Sequence, residues 1–312
     1  MRRIAPARRS ARARAFGTLG ALFALAWNAF AVGADAPAAA SSDCPMCSTW
    51  NEPVEPFRIY GNTWYVGPRG LSVVLITSQH GHVLIDSALT ESAPMIEANI
   101  RKLGFRVEDI KYILNSHAHF DHAGSIAELQ KDSRATVAAT AAGAAAIERG
   151  HGDRGDPQFL SARAFPAAHD VRRVADGETI ALGDLSITAH ATPGHTPGGA
   201  SWTWKSCAGD RCLDIVFADS LSAISDDVYH YTDEAAHPGA LAAFRSSITM
   251  IGALPCDLLI STHPDASDFW ARRDATSDGS GLIDRGACKR YAERAQSRLA
   301  QRLTEERGHG GP

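Results

Sequence analysis

Four side chains that commonly bind metal ions lie within six consecutive positions of this sequence. The stretch 117–122 reads H-A-H-F-D-H and contains His117, His119, Asp121 and His122. Imidazole nitrogens and carboxylate oxygens are donors that zinc takes at about 2.0–2.2 Å. Side chains two positions apart on an extended backbone point to the same side, so His117 and His119 can bind one ion. After a turn, Asp121 and His122 can face a second ion.

Two later histidines lie in loops that can complete two sites of three ligands each. His195 occurs in T-P-G-H-T-P-G-G, which is rich in residues that fix turns. His263 occurs in I-S-T-H-P-D-A-S, directly after an apolar run at 257–260. Chance is a poor explanation for such a set, whereas each remaining histidine fits an ordinary core or surface role. The sequence therefore predicts a two-metal centre.

The elements around the H-A-H-F-D-H stretch place it at the edge of a sheet. Residues 110–114 have the length and β-branched content of a buried strand, and 123–130 are mostly good helix formers. Ligand sites of open α/β sheets lie at such carboxyl ends of strands. Further strands are predicted at 64–66, 71–77, 82–86, 136–139, 179–182, 185–191, 201–205 and 213–218, and helices at 93–103, 141–149, 238–254 and 288–306. This pattern alone predicts one α/β or α+β domain.

The composition argues against a nucleic-acid partner. Of 312 residues, 45% are hydrophobic and 21% are charged, which is ordinary for a soluble globular protein. The formal net charge of -4 includes six arginines in the first 34 residues, which hold no acidic residue. Without them, 25 Lys and Arg face 35 Asp and Glu, a net charge of about -10. A phosphate backbone requires a basic groove instead.

The N-terminus has the pattern of a secretory signal. Arginines between positions 2 and 14 precede an apolar stretch at 16–32, and Val32-Gly33-Ala34 offers a small-residue cleavage site. A retained membrane anchor is the alternative, which Asn28 and its small neighbours disfavour. Export to the periplasm without lasting membrane association is expected, and Arg8-Arg9 does not decide the export route. The expected divisions are a signal peptide at 1–34, a flexible leader at 35–56, the folded domain at 57–306 and a disordered tail at 307–312.

Six cysteines, an even number, fit a protein bound for an oxidising compartment. Cys207 and Cys212 flank a short loop between strands and could close it. A bridge from Cys256 to Cys288 would tie the last helix to the sheet. Cys44 and Cys47, in C-P-M-C, are left as a third pair that is structural or partly free, because no βαβ unit surrounds them.

Taken together, four motifs resemble the metallo-β-lactamase superfamily. They are H-A-H-F-D-H, P-G-H-T-P-G, F-A-D-S-L-S and T-H-P-D-A-S. More narrowly, they resemble the third subclass of metallo-β-lactamases, over nearly the whole mature chain. The resemblance implies an α+β fold, a four-layer αβ/βα sandwich in a single domain. It also implies two zinc ions, the first bound by His117, His119 and His195, the second by Asp121, His122 and His263.

The same resemblance implies a β-lactamase that contributes to antibiotic resistance. A zinc-bound hydroxide would attack the ring carbonyl of penicillins, cephalosporins or carbapenems, and Asp121 would orient it. Ser220 and Ser222 match serines that contact the substrate carboxylate in this subclass, and Gln158 matches a substrate-facing glutamine. The expected partner is a small-molecule β-lactam, and the expected state is a monomer.

Asp219 leaves a second function open. Other hydrolases of the superfamily, acting on lactones, thioesters or esters, have a carboxylate near this position that bridges both metals. Aligned from Phe217, the bridging position falls on Ser220, with Asp219 one residue early. A shift of one residue along a strand turns a side chain to the opposite face, which favours Ser220 toward the metals and Asp219 away from them. A non-enzymatic metal-binding protein is disfavoured because structural zinc sites have no open position.

Overall fold

Two mixed β-sheets form the centre of the computed structural model, which describes residues 44–309. The first sheet has seven strands in the order β1-β2-β3-β4-β5-β6-β7, and β4 to β7 run parallel. They are β1 Phe57–Tyr60, β2 Thr63–Tyr65, β3 Val74–Ser78, β4 Gly81–Ile85, β5 Ile110–Leu114, β6 Thr136–Thr140 and β7 Arg172–Val174.

The second sheet has five strands in the order β12-β11-β10-β9-β8, with only the β11–β12 pair parallel. They are β8 Thr179–Leu182, β9 Leu185–Ala191, β10 Ala200–Ala208, β11 Arg211–Ala218 and β12 Leu258–Ser261. The helices are α1 Cys47–Trp50, α2 Ala93–Lys102, α3 Phe120–Ala123, α4 Ile126–Ser133, α5 Ala141–Arg149, α6 Ala240–Ala253, α7 Phe269–Asp274 and α8 Ala287–His309. Within residues 44–309, no helix is long and apolar enough to cross a membrane.

Three apolar clusters separate four layers, because successive side chains of a strand point to opposite faces of its sheet. In β5, Ile113 packs toward the helices beside the first sheet, and Leu114 packs between the sheets. In β11, Phe217 joins the cluster between the sheets, and Val216 packs toward α6 and α8. The predicted four-layer αβ/βα sandwich, an α+β fold in a single domain, is confirmed.

The structure corrects both ends of the predicted domain. Residues 44–56, expected within a flexible leader at 35–56, lie against the folded body: Trp50 contacts the ring of His263, and the Asn99 side chain donates to the Val54 carbonyl. The expected tail at 307–312 begins inside α8, which continues to His309. The predicted signal peptide at 1–34 lies outside the described residues.

All six cysteines are bonded in pairs. Cys207 is joined to Cys212 across the β10–β11 turn, and Cys256 is joined to Cys288 at the start of α8. The pairing left open in the sequence is a bond between Cys44 and Cys47. The bond at Cys288 ties down the helix that carries Tyr291, whose hydroxyl donates to the backbone carbonyl of Asp219.

Candidate metal centre

The H-A-H-F-D-H stretch spans the end of strand β5 and the short helix α3. His117 follows the strand, and the backbone N–H groups of His122 and Ala123 both bond the His119 carbonyl, which closes the first turn of the helix. Gly124 permits this tight turn, because a Cβ there would lie 2.3 Å from the Phe120 carbonyl oxygen. The turn presents Asp121 and His122 beside the two preceding histidines.

The first set of three histidines converges as predicted from the sequence. One donor atom each of His117, His119 and His195 lies within 4.8 Å of the others, and all three side chains are buried. His195 reaches the set from the β9–β10 loop. Its neighbour Gly194 has a φ of +154°, and a Cβ there would lie 2.1 Å from the Phe244 ring. Glycine therefore allows this loop to pack against α6.

The second set is closer still. His263 follows β12, and its Nε2 lies 3.2 Å from Nε2 of His122 and 3.3 Å from Oδ2 of Asp121. The His122 Nε2 atom lies 3.4 Å from the same Asp121 oxygen. Donors about 2.0–2.1 Å from a tetrahedral zinc ion stand about 3.3 Å apart along each edge of the tetrahedron. The distances among these three atoms therefore fit one face of the tetrahedron that a zinc ion would require.

Carboxylates lie behind three of the histidines, and two of them fix by hydrogen bonds which nitrogen the ring presents. Asp219 Oδ1 lies 2.7 Å from Nδ1 of His117, and Asp156 Oδ2 lies 2.9 Å from Nε2 of His119. Asp86 Oδ2 lies 3.5 Å from Nδ1 of His122. Such outer partners orient metal-binding imidazoles and raise their basicity.

A backbone carbonyl, instead of a carboxylate, lies behind His195, and an aromatic ring lies beside His263. The Nδ1 atom of His195 donates to the carbonyl of Ser222 at 3.0 Å. His263 instead packs against Trp50, with ring centroids 5.1 Å apart. The nitrogens left facing the first set are thus Nε2 of His117, Nδ1 of His119 and Nε2 of His195.

Sequence reasoning missed Asp86, Asp156 and Trp50. Asp86 directly follows strand β4, next to β5 in the sheet, so an acidic residue at a parallel strand end was a usable signal. Its carboxylate also accepts hydrogen bonds from the Ser116 backbone at 2.7 Å and from its hydroxyl at 2.6 Å. Asp156 lies in the irregular segment between α5 and β7, where no periodic pattern singles it out.

Burial and neighbouring charges prepare several of these groups to hold cations. Burial, with the charges of His122, His195 and His119, lowers the pKa of His117 well below its usual range. Burial and His119 lower the pKa of His195 to about 3. Both rings are therefore neutral at pH 7 and bind a metal without losing a proton. Burial alone raises the pKa of Asp121, but His122 and His263 outweigh it and hold that pKa well below the usual range.

Three candidate substrate-binding residues lie around His195. The Gln158 amide nitrogen is 3.4 Å from His195 Nε2, the side that faces the first set. The Ser222 hydroxyl lies 3.0 Å from Nδ1, on the opposite side of the ring, and 2.8 Å from the Ser220 hydroxyl. The structure thus brings all three side chains near His195. Ser222, however, contacts the edge of the ring that faces away from the first set of histidines.

Residues 66–263 match the family model of the metallo-β-lactamase superfamily. The chain belongs to this superfamily. It is accordingly an enzyme, a metal-dependent hydrolase of the metallo-β-lactamase type, and its histidine and aspartate groups suit a metal cofactor.

Solved structures of subclass B3 metallo-β-lactamases resemble this chain. Rm3 metallo-β-lactamase is 49% identical, with a TM-score of 0.82 over 85% of this chain and 99% of that chain. MEM-A1, a subclass B3 enzyme from a soil metagenome library, is also 49% identical, with a TM-score of 0.81 over 83% of this chain and 99% of that one. The predicted resemblance to the third subclass is confirmed.

Curated relatives are more distant. A probable metallo-hydrolase of Burkholderia pseudomallei is 37% identical over 62% of this chain and 68% of its own length. A hydroxyacylglutathione hydrolase of Rhodopseudomonas palustris is 28% identical over 50% of this chain. The match spans only 55% of that enzyme's length.

Proposed function

We propose that this protein is an exported enzyme that binds two zinc ions and opens the β-lactam ring of antibiotics by hydrolysis. The observation that carries the proposal is the convergence of six side chains into two sets of three donors. Zinc sites with three protein ligands keep a position open for water or substrate, whereas structural sites are closed. Resemblance to subclass B3 metallo-β-lactamases at 49% identity supports the choice of substrate.

The donor chemistry fits zinc in both sets. In the first, His117, His119 and His195 would hold one ion; in the second, Asp121, His122 and His263 would hold the other. Zinc, when bound, supplies Lewis acidity and lowers the pKa of water toward neutrality. Asp121 would both bind the second ion and accept a hydrogen bond from the attacking water. Gln158, Ser220 and Ser222 would bind the substrate at the first site.

The position of Asp219 argues for a β-lactam over a glutathione thioester, the substrate class suggested by the hydroxyacylglutathione hydrolases. The thioester interpretation expects a carboxylate between the two metals. Asp219 instead lies fully buried behind His117, and Tyr291 and Ser201 bond its backbone. No other carboxylate of residues 44–309 except Asp121 belongs to a metal-binding group that includes these histidines.

A ring-opening assay tests the proposal directly. The purified enzyme is mixed with a carbapenem, a cephalosporin and, separately, a hydroxyacyl thioester of glutathione, and absorbance is followed. We expect both β-lactams to be opened, the activity to disappear with a chelator, and zinc to restore it. Thioester hydrolysis without β-lactam opening at any zinc concentration would overturn the proposal in favour of the alternative.

Periplasmic localisation is a separate part of the proposal and depends on residues 1–34. Two forms are expressed in a Gram-negative bacterium, the full chain and one beginning at Asp35 after an initiator methionine. We expect the full chain in the periplasmic fraction, shortened at its N-terminus, and the other form in the cytoplasm. Equal distribution of the two forms would contradict the assignment.

A further inference from the structure

Asp226 joins two loops that border the metal centre. Its carboxylate accepts from the backbone N–H of Leu160 at 2.9 Å through Oδ2, and from those of Val228 and Tyr229, both at 2.9 Å, through Oδ1. Its own N–H donates to the Pro157 carbonyl at 2.8 Å. Asp226 thus holds its own loop with one carboxylate oxygen and the neighbouring loop with the other.

The neighbouring loop that Asp226 binds, residues 156–160, carries two residues that contact the metal centre, Asp156 and Gln158. Asp156 binds the rear nitrogen of His119 with Oδ2 and accepts from the Gln158 backbone N–H with Oδ1 at 2.8 Å. The Gln158 side chain reaches His195 at 3.4 Å. The contacts to Asp226 lie at Pro157 and Leu160, on both sides of Gln158.

We propose that Asp226 is a positioning residue for substrate binding: it fixes Gln158 relative to the Ser220–Ser222 segment of its own loop. The inference rests on the proposed function, because it assigns Gln158 to the substrate. Gln158 and Ser222 lie far apart in sequence and approach the same histidine from different loops. The brace is the set of hydrogen bonds by which Asp226 joins the two loops. Without it, Gln158 and Ser222 would each move with its own loop, and a substrate would have to order both loops on binding.

The carboxylate is suited to this task at neutral pH. Partial burial alone raises the pKa of Asp226, but the backbone N–H groups of Leu160, Tyr229 and Val228 outweigh burial and lower that pKa below its ordinary value. The residue is therefore ionised and presents two acceptor oxygens, and hydrogen bonds to an ionised acceptor are stronger than neutral ones.

Asp226→Asn removes the side-chain hydrogen bond between the two loops and keeps the side-chain hydrogen bonds within the Asp226 loop. The amide oxygen can still accept from Val228 and Tyr229, but the amide nitrogen cannot accept from the Leu160 N–H. Asp226→Ala removes all three side-chain bonds. Asp227, the exposed next residue, makes no hydrogen bond or ion pair among the described residues, so Asp227→Asn is a matched control.

We expect Asp226→Asn and Asp226→Ala to raise KM for a cephalosporin by about five- to tenfold. This is the effect expected from losing roughly one charge-assisted hydrogen bond that holds the two loops in place. We expect kcat within about twofold of wild type, because the metal ligands are untouched. Bound zinc, measured by mass spectrometry, should stay the same. Hydrogen exchange at the Leu160 amide should accelerate about tenfold in both variants but not in Asp227→Asn.

A double-mutant cycle with Gln158→Ala tests whether Asp226 acts through Gln158. The KM effect of Asp226→Asn should vanish in the Gln158→Ala background, since coupled residues are not additive. Additive effects would overturn the proposal, and so would a wild-type KM and wild-type Leu160 exchange in Asp226→Asn. If wild type opens no β-lactam, the proposed function fails, while the exchange measurement still decides whether the brace exists.

Discussion

The Nδ1 atom of His117 lies 2.7 Å from Oδ1 of Asp219, on the side of the ring away from the other metal-binding histidines. This contact answers the question that the sequence left open. Asp219 follows β11 and contacts Nδ1 of this ring, a position from which a carboxylate orients a metal-binding imidazole and does not bridge two ions. Its second oxygen, Oδ2, is buried without a hydrogen-bond partner.

Asp219→Ala should weaken zinc binding at the first site by about 10–100-fold, because outer carboxylates hold the ring orientation of metal-binding histidines. Zinc affinity is measured by competition with a chromogenic chelator. Asp184→Ala is the matched control, since that aspartate is exposed and makes no ion pair within residues 44–309. Unchanged affinity in Asp219→Ala would contradict an orienting role.

His263→Ala should remove one of two bound zinc ions and lower kcat on the order of a hundredfold while the fold stays intact. The reason is that the second set loses one of its three donor atoms. Zinc content is measured by mass spectrometry and folding by circular dichroism. His80→Ala, at an exposed turn, is the control. Full turnover in His263→Ala would refute the assignment of this residue to the second ion.

The Ser220→Ala and Ser222→Ala double variant should raise KM about tenfold with little change in kcat, as expected when ground-state and transition-state binding are lost equally. Steady-state kinetics with a cephalosporin measures both constants. The Ser222 hydroxyl also touches His195 Nδ1, so zinc content is measured in parallel. Loss of zinc with an unaltered KM would show that these serines support the ligand and not the substrate. Ser186→Ala, on the exposed face of β9, serves as the control.

Glu306 should make the stability of the metal-free protein depend on pH in the acid range. Burial raises its pKa, but Arg302 and the backbone N–H groups of Thr232 and Tyr231 outweigh burial, so the pKa lies below its ordinary value. A carboxyl with a lowered folded pKa contributes stability above its unfolded pKa of about 4.3 and loses that contribution as pH falls through the folded value.

Urea unfolding of the metal-free protein measures this effect. Glu306→Gln should be less stable than wild type by a constant margin between pH 6 and 8, and the margin should shrink below about pH 4. Glu128→Gln, an exposed position on α4, should show no such margin. A margin that stays constant into the acid range would mean that ionisation of Glu306 contributes nothing.

The six candidate metal ligands could be picked out in the sequence because their signal is local. Four of the six candidates lie within 117–122, and the other two, His195 and His263, directly follow strands or lie in turn-rich loops. The outer carboxylates have no such signal. Asp156 reaches His119 from an irregular segment 37 residues away, and only the folded chain shows the contact.

The strands that the sequence analysis missed depend on pairing more than on their own residues. β1 is the edge strand of the first sheet and pairs with β2 across a short turn. β7, with the sequence Arg-Arg-Val, has two exposed arginines and is held by parallel pairing with β6. Simple composition predicts a flexible segment at 35–56, but in its described part, 44–56, Trp50 packs against the His263 ring and the apolar cluster beside the first sheet.

His263 differs from the other four histidines of the candidate metal centre in one respect that bears on how firmly the second ion would be held. Its side chain is 29% exposed, against 1% for His117 and His122, and an indole ring lies beside it, whereas each of the others has a carboxylate or carbonyl oxygen within 3.5 Å of one ring nitrogen. A histidine that its neighbours hold less firmly releases its metal ion more readily. When zinc becomes scarce, the ion at Asp121, His122 and His263 should depart first, and the activity of the cell's pool of this enzyme would follow the supply of zinc.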